Sequence, residues 1–248
     1  MIILSILFFI TAILYSSVGF GGGSTYLALL LIWDIPYYIF PVIALLCNII
    51  VVTGNSINYV RAGNHNFKLL LPFLFGSIPL AFLGGTLIVK KEIFEILLFL
   101  ILSIAGLLLL INNKSYDDKN IVIKKVNLFV SILIGSILGL ISGIVGIGGG
   151  IFLSPILFLL KADKPKNIVT TASLFILINS IFGILGQLTK ENILNEISLY
   201  WPLFISVLIG GLFGNYLNLT IFSNRVLAII TSTLVIFVAI RMGFRIFI

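Results

Sequence analysis

Apolar residues run in long blocks along this chain, and short polar stretches cut the blocks apart. Residues 2–33 are apolar except for an interruption at 19–23, so they read as two half-helices, 2–17 and 24–33. Trp33, Tyr37 and Tyr38 mark a membrane interface around Asp34 and Pro36. A span at 39–60 follows, then the polar loop Arg61-Ala62-Gly63-Asn64-His65-Asn66. Block 67–89 carries Pro72, Pro79 and Gly84-Gly85, and the turn Lys90-Lys91-Glu92 leads into a span at 93–111. Residues 112–125 are the most polar stretch. The plan then repeats. Apolar block 126–160 is broken at 146–150, and a charged loop at 161–166 leads to a span at 167–188. After a loop at 189–195, spans at 199–219 and 222–245 complete the chain. Blocks of about 20 apolar residues cross a bilayer as helix, whereas a β-barrel would show short alternating segments. The pattern predicts an all-α polytopic membrane protein. Residues 1–111 form a first transmembrane repeat, 112–125 a polar linker and 126–248 a second repeat.

Matched glycines and prolines argue that the halves are two copies of one backbone. Gly19 matches Gly146, Pro36 falls on Pro165, Gly54 on Gly183, Pro72 on Pro202 and Gly84 on Gly214. Internal duplication is a frequent transporter architecture. Loop charge bears on whether the copies are parallel or inverted. If each broken segment is a re-entrant hairpin, each half keeps three full spans and the halves are inverted. One face then holds Arg61, Lys68, Lys114, Lys119, Lys124, Lys125, Lys161, Lys164, Lys166 and Arg225. The other holds Lys90, Lys91, Lys190, Arg241 and Arg245, ten against five. Fully crossing segments divide the same cations nine against six. The positive-inside rule favours the hairpins, with a cytoplasmic linker and outward-facing termini.

Composition sharpens this picture. The chain is 60% hydrophobic and 9% charged, where soluble domains carry about 25% charged residues. The net charge of +7 resides mostly in short loops and is read as helix orientation, not nucleic-acid binding. The single cysteine, Cys47, excludes an internal disulfide and a cysteine-based metal site. The first residues show neither a basic leader region nor a small-residue cleavage site, so 1–33 are expected in the mature fold. No cofactor is expected.

The candidate chemistry lies at Val18-Gly19-Phe20-Gly21-Gly22-Gly23 and its echo Val145-Gly146-Ile147-Gly148-Gly149-Gly150. Each glycine costs a helix about 1 kcal/mol against alanine, and in hydrocarbon a freed backbone group must be satisfied by protein or water. A break of this kind exposes helix N-termini, whose unpaired N–H groups and positive dipole end hold anions. Gly19, Gly21, Gly22, Gly23, Gly146, Gly148, Gly149 and Gly150 are therefore candidate substrate-binding positions. Ser24 and Thr25 add hydroxyls after the first break; Ser142 and Ser154 flank the second. The competing reading is close helix packing at Gly-x-x-x-Gly spacing. Gly135-x-x-x-Gly139-x-x-x-Gly143 is assigned wholly to packing.

At these glycine motifs the chain resembles the TauE/SafE family of membrane transporters, also called sulfite exporter-like proteins. Thr171-Ala172-Ser173-Leu174-Phe175 and the aromatic–Arg–x–Gly pattern at Tyr59, Arg61 and Gly63 support the resemblance. It covers essentially the whole chain and implies export of small sulfur-containing anions such as sulfite or sulfonates. One departure is that Pro155 follows the second motif by five residues, whereas the first motif has only Pro36. The half-sites are thus not expected to be equivalent.

Polar residues within spans extend the candidate site. Asn48 and Asn55 are seven apart and share a helix face; Thr171, Ser173 and Asn179 occupy the matching region of the second half. They line a pathway or bond between helices. Ser and Thr are the weaker candidates, because a hydroxyl can bond its own helix backbone. No Asp, Glu, Lys or His lies deep in a span by this reading, unlike proton-coupled carriers. Export driven by membrane potential, without a proton requirement, follows as an expectation. The expected partners are a small anionic substrate and the lipid bilayer. An enzyme is disfavoured, since no nucleophile with a base partner is present. A passive anion channel and a non-transporting membrane component stay open as alternatives, and the oligomeric state is not readable.

Overall fold

The computed structural model describes residues 1–33, 35–111, 123–190 and 196–218, with isolated positions from 233 onward. The expected span at 222–245 and most of the linker lie outside the described residues. The described elements are helical throughout. They are α1 (Ile2–Val18), α2 (Gly23–Ile32), α3 (Phe40–Arg61), α4 (Phe67–Thr86), α5 (Lys91–Ile111), α6 (Leu128–Val145), α7 (Gly150–Leu159), α8 (Pro165–Gln187) and α9 (Trp201–Asn218). Short 3-10 turns at Tyr37–Ile39 and Ser198–Tyr200 lead into α3 and α9.

Among the described residues, five helices are long and apolar enough to cross a membrane: Tyr37–Arg61, Phe67–Thr86, Leu128–Val145, Pro165–Gln187 and Ser198–Leu217. One of these, α6, was expected as half of a broken segment. At 1.5 Å per residue its 18 residues rise about 27 Å, close to the roughly 30 Å of a hydrocarbon core. By the same measure α1 rises about 26 Å, whereas α2 and α7, of 10 residues each, rise only about 15 Å. The glycine runs thus divide each segment into a long arm and a short one. Block 67–89 ends earlier than its apolar pattern, at Thr86, because Leu87 is already extended.

Close helix contacts give the directions. Gly135, Gly139 and Gly143 of α6 lie against the backbone carbonyls of Phe73, Ser77 and Ala81 of α4. The pairs ascend together, so α4 and α6 are parallel and touch through glycine, where backbones approach closest. Gly210 and Gly214 of α9 meet the carbonyls of Phe9 and Ile13 in the same manner, so α1 and α9 are also parallel. Val51 and Gly54 of α3 meet Gly211 and Asn215 of α9, adding α3 to that direction. Gly186 of α8 meets Phe82 and Gly85 near the C-terminal end of α4. In contrast, α3 and α8 are antiparallel: Leu45 meets Gly183, and Ser56 meets Ser173. Each of these pairs joins one half of the chain to the other.

The burial pattern is that of a protein dissolved in lipid. Ile2, Phe75 and Phe129 are each more than 70% exposed, whereas Asn48, Asn55, Ser173, Asn179 and Ser180 are fully buried. In water such an apolar exterior would be a contiguous sticky surface; in a bilayer it is solvated.

Candidate functional site at the glycine breaks

Both breaks are built from left-handed backbone that only glycine adopts without strain. Helix α1 stops at Gly19, φ 87°, with the amides of Gly19 and Phe20 turned back to the carbonyls of Ser16 and Tyr15. Gly22, φ 86°, then starts α2. Helix α6 stops at Gly146, φ 91°, and Gly148 and Gly149, φ 82° and 76°, lead into α7. Among the described residues, no carbonyl accepts from the amides of Gly21, Gly22, Gly23 or Ser24. The same holds for Gly148, Gly149 and Gly150. These are the orphan donors of two helix N-termini.

The two runs meet around one side chain. Asn48, halfway along α3, lies against Gly21 and Gly23 on one side and Gly148 on the other. Its Nδ2 donates a long bond, 3.4 Å, to the Gly146 carbonyl, and its Oδ1 has no partner. Gly23 also faces the carbonyl of Ile147, and Gly148 faces Ser180, whose buried hydroxyl is unpartnered. Buried polar atoms are nearly always bonded, and here Asn48 Oδ1 and Ser180 Oγ are unpartnered beside the free amides. Gly22 packs on the Tyr26 ring and Thr11, Gly149 on Phe175, and Gly150 on Ile176. Gly19 packs against Val169 and Tyr59, and Gly146 against Pro41.

Other candidate positions go elsewhere. The hydroxyls of Ser24 and Thr25 are 3.3 and 2.7 Å from the Tyr15 hydroxyl, which fastens the start of α2 to α1. Asn55 accepts from Ser16 at 3.2 Å, in the seam of α1, α3 and α9, and leaves its Nδ2 unpartnered. Thr171 donates to the Asn167 carbonyl of its own helix. Ser173 pairs with Ser56 between α3 and α8 at 3.1 Å. Asn179 donates to Phe175 in its own helix and leaves Oδ1 unpartnered. Ser142 and Ser154 flank the second break with buried, unpartnered hydroxyls. Tyr15 was missed by sequence reasoning, which counted tyrosine with the apolar residues.

Apolar faces turned outward, spanning helices and interrupted helix ends around a polar centre define a multi-pass membrane protein. The comparisons narrow this. The family model for the sulfite exporter TauE/SafE matches residues 4–242, and the chain belongs to that family. A probable membrane transporter protein of Sinorhizobium fredii is 26% identical over 232 residues, covering 93% of each chain. A probable membrane transporter protein of Methanocaldococcus jannaschii is 31% identical over 199 residues, covering 77% of this chain and 73% of that protein. No solved structure matches. The protein is accordingly a membrane transporter.

Proposed function

We propose that this transporter carries a small sulfur-containing anion, such as sulfite or a sulfonate, out across the cytoplasmic membrane. The carrying observation is that the free amides opening α2 and α7 flank Asn48 in the buried centre. Amides and hydroxyls hold an oxyanion without a formal positive charge, and so release it readily. The family description names sulfite export, which agrees with a cargo rich in acceptor oxygens.

The halves are read as inverted copies, each with one re-entrant hairpin. Two observations support this. Helices α1 and α3 each run parallel to α9, so the chain turns back between them through α2. Helices α3 and α8, equivalent in the two halves, run antiparallel. Described cations support the orientation. Arg61, Lys68, Lys124, Lys125, Lys161, Lys164 and Lys166 belong to the end where α3 finishes and α8 starts. Lys90, Lys91 and Lys190 belong to the opposite end. The first end is read as cytoplasmic.

Thermal-shift titration of purified protein with sulfite, sulfate, a sulfonate and acetate tests the cargo site. Sulfite or the sulfonate stabilises the parent protein, and Asn48→Ala with Ser180→Ala removes the shift. Folded variants that keep the full shift overturn the site.

A further inference from the structure

Among the described residues, a side-chain bridge joins the halves at each end of the α3–α8 pair. At one end Asn66, in the α3–α4 loop, donates to Asp163 Oδ2, in the α7–α8 loop, at 2.6 Å. At the other, the Tyr38 hydroxyl at the entry to α3 lies 2.8 and 2.7 Å from the two carboxylate oxygens of Glu196, in the segment leading to α9. Exchanging the halves carries the loops of one bridge onto the loops of the other, though not residue onto residue. The α7–α8 loop takes the place of the α2–α3 loop, and the α3–α4 loop that of the α8–α9 loop. We propose that these bridges are the two gates of the transport cycle, Asn66–Asp163 at one face and Tyr38–Glu196 at the other. In the structure both bonds are made, one at each end of the α3–α8 pair.

The bonding suits a closure that opens and remakes. Asp163 is almost fully buried. Its Oδ1 is held within its own loop by the Lys164 amide at 2.7 Å and by Asn167 Nδ2 at 3.1 Å. Asn66 is anchored on its own side, where Oδ1 caps α4 by accepting from the Leu69 amide at 3.1 Å. A single bond, Asn66 to Oδ2, therefore joins these two side chains across the halves. Parting them leaves the carboxylate two donors and leaves the α4 cap intact. Tyr38–Glu196 likewise rests on one phenolic donor, and it is exposed, so water can replace either partner at once. Closures made of one replaceable bond on anchored residues are what a reversible gate requires.

The inference rests on the chain being a transporter with the inverted halves proposed above, and not on which anion it carries. The test follows from that. In a Cys47→Ala background, which removes the chain's one cysteine, Asn66→Cys with Asp163→Cys, or Tyr38→Cys with Glu196→Cys, is bridged by a short bifunctional thiol reagent. Hydrogen exchange is then read by mass spectrometry in nanodiscs, without added anion. Locking 66 to 163 is expected to speed exchange at 36–39 and 196–200 by up to about twofold, because the population open at the near face is redistributed. Locking 38 to 196 does the same at 64–69 and 161–168. Unbridged pairs give the baseline. Exchange at the far end that stays at baseline, or slows, under both locks overturns the gates. A wrong cargo assignment shows instead in the thermal shifts and leaves this result standing.

Discussion

Asn48 of α3 holds the carbonyl of Gly146 from the other half of the chain, Nδ2 to oxygen at 3.4 Å. One amide side chain thus spans the gap between the first span of one half and the broken segment of the other. Its unpartnered Oδ1 faces the first glycine run.

On the proposed cargo site, Asn48→Ala removes that link and the second Nδ2 proton, the donor left for an anion. A hydrogen bond to a charged group is worth about 1.5–3 kcal/mol. Affinity for sulfite should fall by about one to two orders of magnitude, read by calorimetry. Asn48→Asp should abolish binding, because it sets a negative charge where the anion goes. Unchanged affinity in both variants would remove Asn48 from the site.

The glycine stripe of α6 gives a stability prediction. A Cβ at Gly139 would overlap the Ser77 carbonyl and backbone of α4. Gly139→Val should lower stability by about 1–3 kcal/mol, the usual cost of overpacking. Gly54→Ala is the control, since a Cβ there meets only Asn215 Nδ2, at 3.4 Å. Thermal unfolding in detergent compares them, and equal midpoints would contradict the close contact of α4 and α6.

Lys190, just beyond α8, makes stability depend on pH. Desolvation lowers its ammonium to about 8. Its Nζ donates to Gln187 Oε1 at 2.8 Å, and Gln187 donates onward to the Gly143 carbonyl at 2.7 Å. Below pH 8 the folded protein bears the cost of a partly buried charge. Between about 8 and the ordinary lysine value of 10.5, the unfolded chain binds more protons than the folded one, so stability rises with pH. Thermal midpoints should climb over that window, and Lys190→Met should flatten the climb. A midpoint that falls as steeply in both proteins would refute the assignment.

Potential should drive export without a proton gradient. One negative charge leaving a cell gains about 2.3 kcal/mol per 100 mV. Vesicle flux of sulfite, with potential and pH gradient set separately, should follow the potential. Flux that needs a pH gradient at zero potential counts against this mode.

Much of the helical plan could be read from the chain, because lipid demands long apolar blocks. The packing role of Gly135, Gly139 and Gly143 was equally plain, since their spacing puts them on one face. The side-chain partners were harder. Asn48 and Asn55 share a helix face, yet seven residues separate them by about 10 Å, enough to change neighbours. One meets Gly146, the other Ser16. Tyr15 could not be matched to Thr25 without knowing that α2 returns beside α1. The bridges of Asn66 to Asp163 and Tyr38 to Glu196 join residues 97 and 158 positions apart, and nothing local announces them.

The contact of α1 with α9 has a consequence for biogenesis. Ser16 donates to the Gly211 carbonyl across 195 positions of chain. At a synthesis rate of roughly 5–20 residues per second, α1 waits about 10–40 s for the helix it packs against. During that interval the α1 backbone that will meet Gly210 and Gly214 faces lipid or the insertion machinery. The nascent protein is therefore most vulnerable before its last quarter is made, and a ribosome stalled near residue 200 would strand an unfinished bundle in the bilayer.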